Sequence, residues 1–265
     1  MGIHRVKLYL TLITALLITC IAASCTGRQD SGTVTDDKKI RVAVIDTGFS
    51  EKAIPSGNIA GGKNYVDWDM GTDDTYGHGT AVASIILENA PDTELVALVS
   101  SVYEHGRLKQ VDADTFAGII IDAVDVYGCD VINISAGFAA DVEAVRLAVE
   151  YAAQKGVVVV ASAGNDYVEN PDVKYYPAAY DDVIAVGSMN ESRTAISDFS
   201  QRGEWVDMYE CGENITVRTL SGDSREVSGT SYAAAGVTSR ICRILEENSG
   251  LTVDKVLEII DFKGN

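Results

Sequence analysis

The sequence predicts an α/β protein with a mostly parallel central sheet covered by helices on both faces, and three observations carry that expectation. Short apolar runs recur at 40–45, 95–99, 131–134, 157–161 and 183–187, and helix-like stretches fall around 79–88, 112–127, 141–155 and 231–247, between several of them. Runs that are apolar throughout, without alternation, belong to strands buried on both faces. Strands alternating with helices build parallel sheets. The 265 residues are 46% hydrophobic and show no internal repeat or low-complexity tract, enough for one sizeable core.

Taken in order, the elements place chemistry at their ends. The first run, Val42-Ala43-Val44-Ile45, leads into Asp46-Thr47-Gly48, an acid leaving a buried strand for a turn. Gly77-His78-Gly79-Thr80 precedes the first helix-like stretch. Of the three histidines, His4 falls in a leader-like segment and His105 in a polar stretch, so His78 alone is set as a base. The run at 131–134 continues into Ser135-Ala136-Gly137, and that at 157–161 continues through Ser162-Ala163-Gly164 to Asn165. Ser231 opens a small-residue run that reaches Ile241, Ile244 and Leu245 at helical spacing. Each residue alone has a plainer reading: a turn for Asp46 and Asn165, a helix cap for His78 and Ser231. Ligands in open α/β sheets bind beyond the carboxyl ends of the strands, where Asp46 and Asn165 fall.

The set is more informative than its members. A hydroxyl is a weak nucleophile at neutral pH unless an imidazole takes its proton and a carboxylate orients that imidazole. Asp46, His78 and Ser231 supply those three groups. The negative charge that develops on an attacked carbonyl oxygen needs donors already aimed at it. Asn165 and the backbone N–H of Ser231, free at a helix N-terminus, suit that task. Cys129, Cys211 and Cys242 have no histidine beside them in a comparable motif, so a cysteine nucleophile is excluded.

These segments, in the order Asp, His, Ser, resemble the subtilisin-like serine proteases, the subtilases, from about residue 40 to about 262. The resemblance implies a three-layer subtilisin-like fold and a serine endopeptidase with Asp46, His78 and Ser231 as triad and Asn165 in the oxyanion hole. It also implies that Ser135, Ala136 and Gly137 bind substrate by pairing with its backbone as an added strand. Tyr176-Pro177-Ala178-Ala179-Tyr180 and the run after it resemble the segment beside the primary specificity pocket. There Asp166 is expected to favour basic or modest-sized residues before the cut, with Tyr175 narrowing the pocket base. The alternative is a subtilase-like lipoprotein that binds peptides without cutting them, which has no need of all four groups. Departures from the family pattern are Ala235 where proline is usual and Ala81 where histidine is usual. The short stretch from Leu87 to Leu95 also lacks the insertion that holds calcium in many relatives.

The N-terminal end reads separately. Arg5 and Lys7 precede a nearly continuous apolar run, Leu8–Ala23, and then Ser24-Cys25. A charged start, an apolar core of export length and small residues before a cysteine predict a lipoprotein-type signal over 1–24, with Cys25 lipidated. Residues 25–39 then form a polar tether, and the catalytic domain spans 40–265. The protein is expected outside the cytoplasmic membrane and held to it by the lipid, acting as a monomer on peptide or protein substrates. The formal charge is −18, and removal of 1–24 takes away Arg5 and Lys7 and no acid, leaving −20. Such a charge repels nucleic acid and excludes it as a partner. Asp67, Asp69, Asp73 and Asp74 offer oxygen ligands of the kind calcium takes, yet form no clear motif, so no cofactor or metal is expected.

Overall fold

The computed structural model describes residues 39–248, 251, 255, 256 and 258–260. The expected signal, Cys25 and the tether up to residue 38 lie outside the described residues. The elements whose bounds fall among the described residues follow in chain order: β1 (Arg41–Asp46), β2 (Ile59–Asn64), α1 (His78–Asn89), β3 (Glu94–Val99), β4 (Ser101–Glu104), β5 (Arg107–Gln110), α2 (Ala113–Asp125), β6 (Val131–Ile134), α3 (Glu143–Gln154), β7 (Val158–Ser162), β8 (Val183–Met189), β9 (Met208–Cys211), β10 (Ile215–Arg218), β11 (Ser224–Val227) and α4 (Thr230–Glu247). The main sheet has the order β2-β3-β1-β6-β7-β8-β9, and all its pairings are parallel. Two antiparallel hairpins, β4–β5 and β10–β11, stand apart from it.

Why the strands are apolar throughout follows from the layers. Val42 and Val44 of β1 pack with Ala81 and Val82 of α1 and with Ala233 and Ile241 of α4. Ala43 and Ile45 point the other way, joining Ile119 and Ile120 of α2 and Val149 of α3. Alternate side chains of one strand thus enter two cores, so both faces of β1 are apolar. All five expected strands and all four expected helices are present, with ends shifted by a residue or two.

Strand β1 is the third of the seven strands, with β3 on one side and β6 on the other. Chain connections diverge there, and the crevice at the carboxyl ends of β1, β6 and β7 receives Asp46, Ser135–Gly137 and Asn165.

Candidate active site

Asp46, the last residue of β1, is 5% exposed, and both its carboxylate oxygens face the His78 ring: Nδ1 lies 2.8 Å from Oδ1 and 2.9 Å from Oδ2. A carboxylate accepts only, so Nδ1 carries the proton and Nε2 is left as the acceptor. The Thr47 N–H also donates to Asp46 Oδ1 at 2.8 Å, and Thr47 Oγ1 accepts from the Gly79 N–H at 2.9 Å. The strand end and the helix start are therefore clamped through adjacent residues. Gly79 allows this approach, since a Cβ there would sit 2.4 Å from the Gly48 carbonyl oxygen.

His78 is the first residue of α1, after Gly77 at φ +97. It does not cap the helix; Asp74 does. Asp74 Oδ1 accepts from the N–H groups of Tyr76 at 2.9 Å and Gly77 at 2.7 Å, while Oδ2 accepts from the Thr80 N–H at 2.9 Å and the Thr80 hydroxyl at 2.7 Å. At 8% exposure it is a buried brace beneath His78, unlike the solvated acidic loop that its neighbours in sequence suggest. Bonds to the amides two and three residues on mark an Asx turn, a signal that Asp-x-x-Gly carries and that was missed. Burial opposes charge on the His78 ring, but the field and hydrogen bonds of Asp46, with the field of Asp74, outweigh burial and the opposing field of Arg225. The pKa of His78 is raised above the ordinary imidazole value as a result.

Ser231 lies in the first turn of α4, 6% exposed. Its hydroxyl and its backbone N–H have no hydrogen-bond acceptor or donor among the described residues, His78 included, while the ring of Tyr232 next to it lies 5.6 Å from the His78 ring. Catalytic hydrogen bonds are often long without substrate and close when it binds. Asn165 is oriented from the same turn: its Oδ1 accepts from the Thr230 N–H at 2.8 Å and the Thr230 hydroxyl at 2.9 Å. With the oxygen occupied by donors, the amide NH₂ is turned away from Thr230, and the orientation follows from the network. Thr230 is a second residue that sequence reasoning missed.

Asn165 and Ser231 share a cleft of about 330 Å³ with Ser135, Ala136, Gly137, Ser162, Gly164, Asp166 and Tyr175. A smaller cleft of about 140 Å³ holds Asp46, His78, Tyr76 and Leu108 and again touches Ser135 and Ala136, so the segment after β6 runs past both nucleophile and base. The backbone groups of Ser135, Ala136 and Gly137 make no hydrogen bonds among the described residues, which leaves that edge open to an extended chain. Asp166 accepts from the Tyr175 hydroxyl at 2.6 Å and from Asn170 Nδ2 at 2.9 Å, both neutral donors, and its bond drives the Tyr175 pKa up to about 12. The Tyr175 ring crosses between the two walls: a Cβ on Gly164 would lie 2.6 Å from it, and one on Gly137 3.5 Å from the Tyr175 Cβ. Among the described residues no group of three or more His, Cys, Asp or Glu side chains is arranged to hold a metal ion.

The comparisons with known proteins agree with this geometry. The model of the subtilase family, Peptidase S8, matches residues 37–261. The major intracellular serine protease of Bacillus subtilis is 35% identical over 225 residues, covering 78% of this chain and 68% of the relative. Subtilisin DY of Bacillus licheniformis is 31% identical, covering 82% of this chain and 80% of the relative. Among solved structures, a cold adapted subtilisin-like serine proteinase superposes with a TM-score of 0.72 at 29% identity, covering 84% of this chain and 81% of its own. The chain thus belongs to the subtilase family of serine peptidases.

Proposed function

We propose that the protein is a serine endopeptidase in which Ser231 is the nucleophile, His78 the base and Asp46 the residue that orients it. The observation that carries this is the doubly bonded Asp46–His78 pair in a cleft that shares Ser135 and Ala136 with the cleft holding Ser231 and Asn165. Ser231 Oγ bonds to the peptide carbonyl carbon as its proton passes to His78 Nε2. The carbonyl oxygen becomes an oxyanion between Asn165 Nδ2 and the Ser231 N–H. His78 then returns the proton to the departing amine nitrogen as the C–N bond breaks, leaving an ester on Ser231. Water, losing its proton to His78, attacks that ester, and His78 passes the proton to Ser231 Oγ as the ester bond breaks and the acid leaves. Labelling by a fluorophosphonate probe tests this: wild type reacts and Ser231→Ala does not, whereas a folded wild-type protein that never reacts would favour a peptide-binding role.

The Asp166 carboxylate, held only by uncharged donors, supports a preference for a basic or modest-sized residue before the cut. A random peptide library dominated by bulky apolar residues at that position would reject it. The N-terminal sequence supports an exported enzyme anchored through lipidated Cys25. Incorporation of a labelled fatty acid in wild type and not in Cys25→Ala is the matching observation.

A further inference from the structure

Three apolar side chains stand open to water beside the base. Among the described residues nine large apolar side chains are exposed, and Tyr76, Tyr103 and Leu108 are three of them, gathered at one place. In the β4–β5 hairpin Tyr103 lies opposite Leu108 and Ser101 opposite Gln110, so these four share one face, while Val102 on the other face is buried. Ser101, Leu108 and Gln110 line the smaller cleft of about 140 Å³ together with Tyr76 and His78. The Tyr103 and Tyr76 rings meet with 5.4 Å between centroids, a spacing usual for aromatic pairs. The hairpin is also fixed to the catalytic frame. At its base the Ser100 N–H donates to the Asp46 carbonyl at 2.9 Å, and the Val111 N–H donates to the Ser100 carbonyl at 3.0 Å. Farther along, the Tyr103 N–H donates to Oγ1 of Thr75, in the segment that leads to His78, at 2.9 Å.

A peptide paired with Ser135–Gly137 lies extended, and its successive side chains point to opposite sides. The residue whose carbonyl Ser231 attacks sends its side chain into the larger cleft, which holds Ser231, Asn165 and Asp166. The residue before it points the other way, into the smaller cleft, which touches the same Ser135 and Ala136 and contains His78. We propose that Tyr76, Tyr103 and Leu108 form an apolar clamp that selects an aromatic or large aliphatic side chain at the second residue before the scissile bond. This rests on the endopeptidase reading above. A cavity of about 150 Å³ takes up a benzene ring, so the smaller cleft has the size for one such side chain. Its arrival removes both its own apolar surface and that of the waiting trio from water. An incoming ring also extends the tilted pair that Tyr76 and Tyr103 already make.

The experiment compares fluorogenic peptides that differ only at the second residue before the cut, which is Phe, Leu, Gly or Lys. Wild type is expected to cleave the Phe and Leu peptides about tenfold better than the Gly peptide by kcat/KM, the effect of partly burying one large apolar side chain. Leu108→Ser and Tyr76→Ser are each expected to bring that ratio down to about threefold or less. A ratio taken within one variant does not depend on how much of that variant is folded. Leu108→Asp is expected to raise the Lys-to-Phe ratio about tenfold, a gain that misfolding cannot produce. A wild type indifferent to this residue, or ratios that stay unchanged in all three variants, overturns the proposal and leaves the endopeptidase reading standing. No cleavage of any peptide by folded wild-type protein overturns both.

Discussion

Two side chains that touch no nucleophile decide whether the site is aimed. Replacing Asp74 by Asn leaves one acceptor oxygen where four donors converge and turns an NH₂ toward N–H groups, an expected cost of about 1–3 kcal/mol in urea unfolding. A second readout separates aiming from mere folding. Asp74 helps to hold the His78 pKa up, so its neutralisation lets that pKa fall. Activity needs the unprotonated ring and rises as pH passes through this pKa, so the acid limb of kcat/KM is expected to move to lower pH in Asp74→Asn; an unmoved limb would confine Asp74 to stability. Asn165→Ala is expected to lower kcat by roughly 10²–10³ with KM little changed, because the lost donor acts on charge present only in the transition state. That magnitude was established on a subtilisin asparagine and is carried here by family membership. Thr230→Val should reproduce part of the kcat loss without touching the oxyanion, since it removes one of the two donors that fix the Asn165 oxygen.

At the scale of elements, the five strands read from sequence are those buried on both faces, whose apolar runs state their environment outright. Strand β2 escaped because it is an edge: Ile-Ala-Gly-Gly-Lys-Asn is half exposed and has two glycines where apolar residues would have marked it. Gly62 is there for approach, since a Cβ would lie 2.3 Å from the Ala97 carbonyl oxygen of β3. Gly62→Ala is therefore expected to destabilise by about 1–3 kcal/mol by overpacking against backbone. Gly57→Ala, with nothing within 4 Å, is expected to stay within about 0.5 kcal/mol, and equal unfolding midpoints for the two variants would refute the argument. Strand β9 and both hairpins were missed for a related reason, their exposed faces carrying mixed polar and apolar residues. The site divides the same way. Asp46, His78, Asn165 and Ser231 were legible because their residue types name a chemistry, and each sits where an element begins or ends. Asp74 and Thr230 were not, because an aspartate and a threonine acquire their roles only from what folding sets beside them.

For the molecule as a whole, the parallel sheet gathers the reactive groups beyond the carboxyl ends of its inner strands, and the chain carries an excess of acid. With 39 acidic and 21 basic side chains, attraction cannot balance repulsion over the surface. Several of the ion pairs that do form are substantially exposed: Arg41 with Glu94, Lys63 with Asp122 and Arg146 with Glu150 are each roughly a third or more open to water on at least one side. Such pairs contribute at most about 1 kcal/mol each. The Glu210 carboxylate is buried, 5% exposed, and is shared by Arg193 and Arg240, whose own side chains stay partly open to water. Salt weakens attraction and repulsion alike, but repulsion dominates by number, so the folded state is expected to gain stability as NaCl rises from about 0.02 to 0.5 M. In a domain of this size each kcal/mol gained moves Tm by about 2–4 °C. The same series run on Glu210→Gln separates the contributions: its Tm should start lower, since two guanidinium groups lose their carboxylate, and then climb with salt along a similar slope. A wild-type Tm that falls steadily with NaCl would mean that specific pairs, and not net charge, set the electrostatics of this fold.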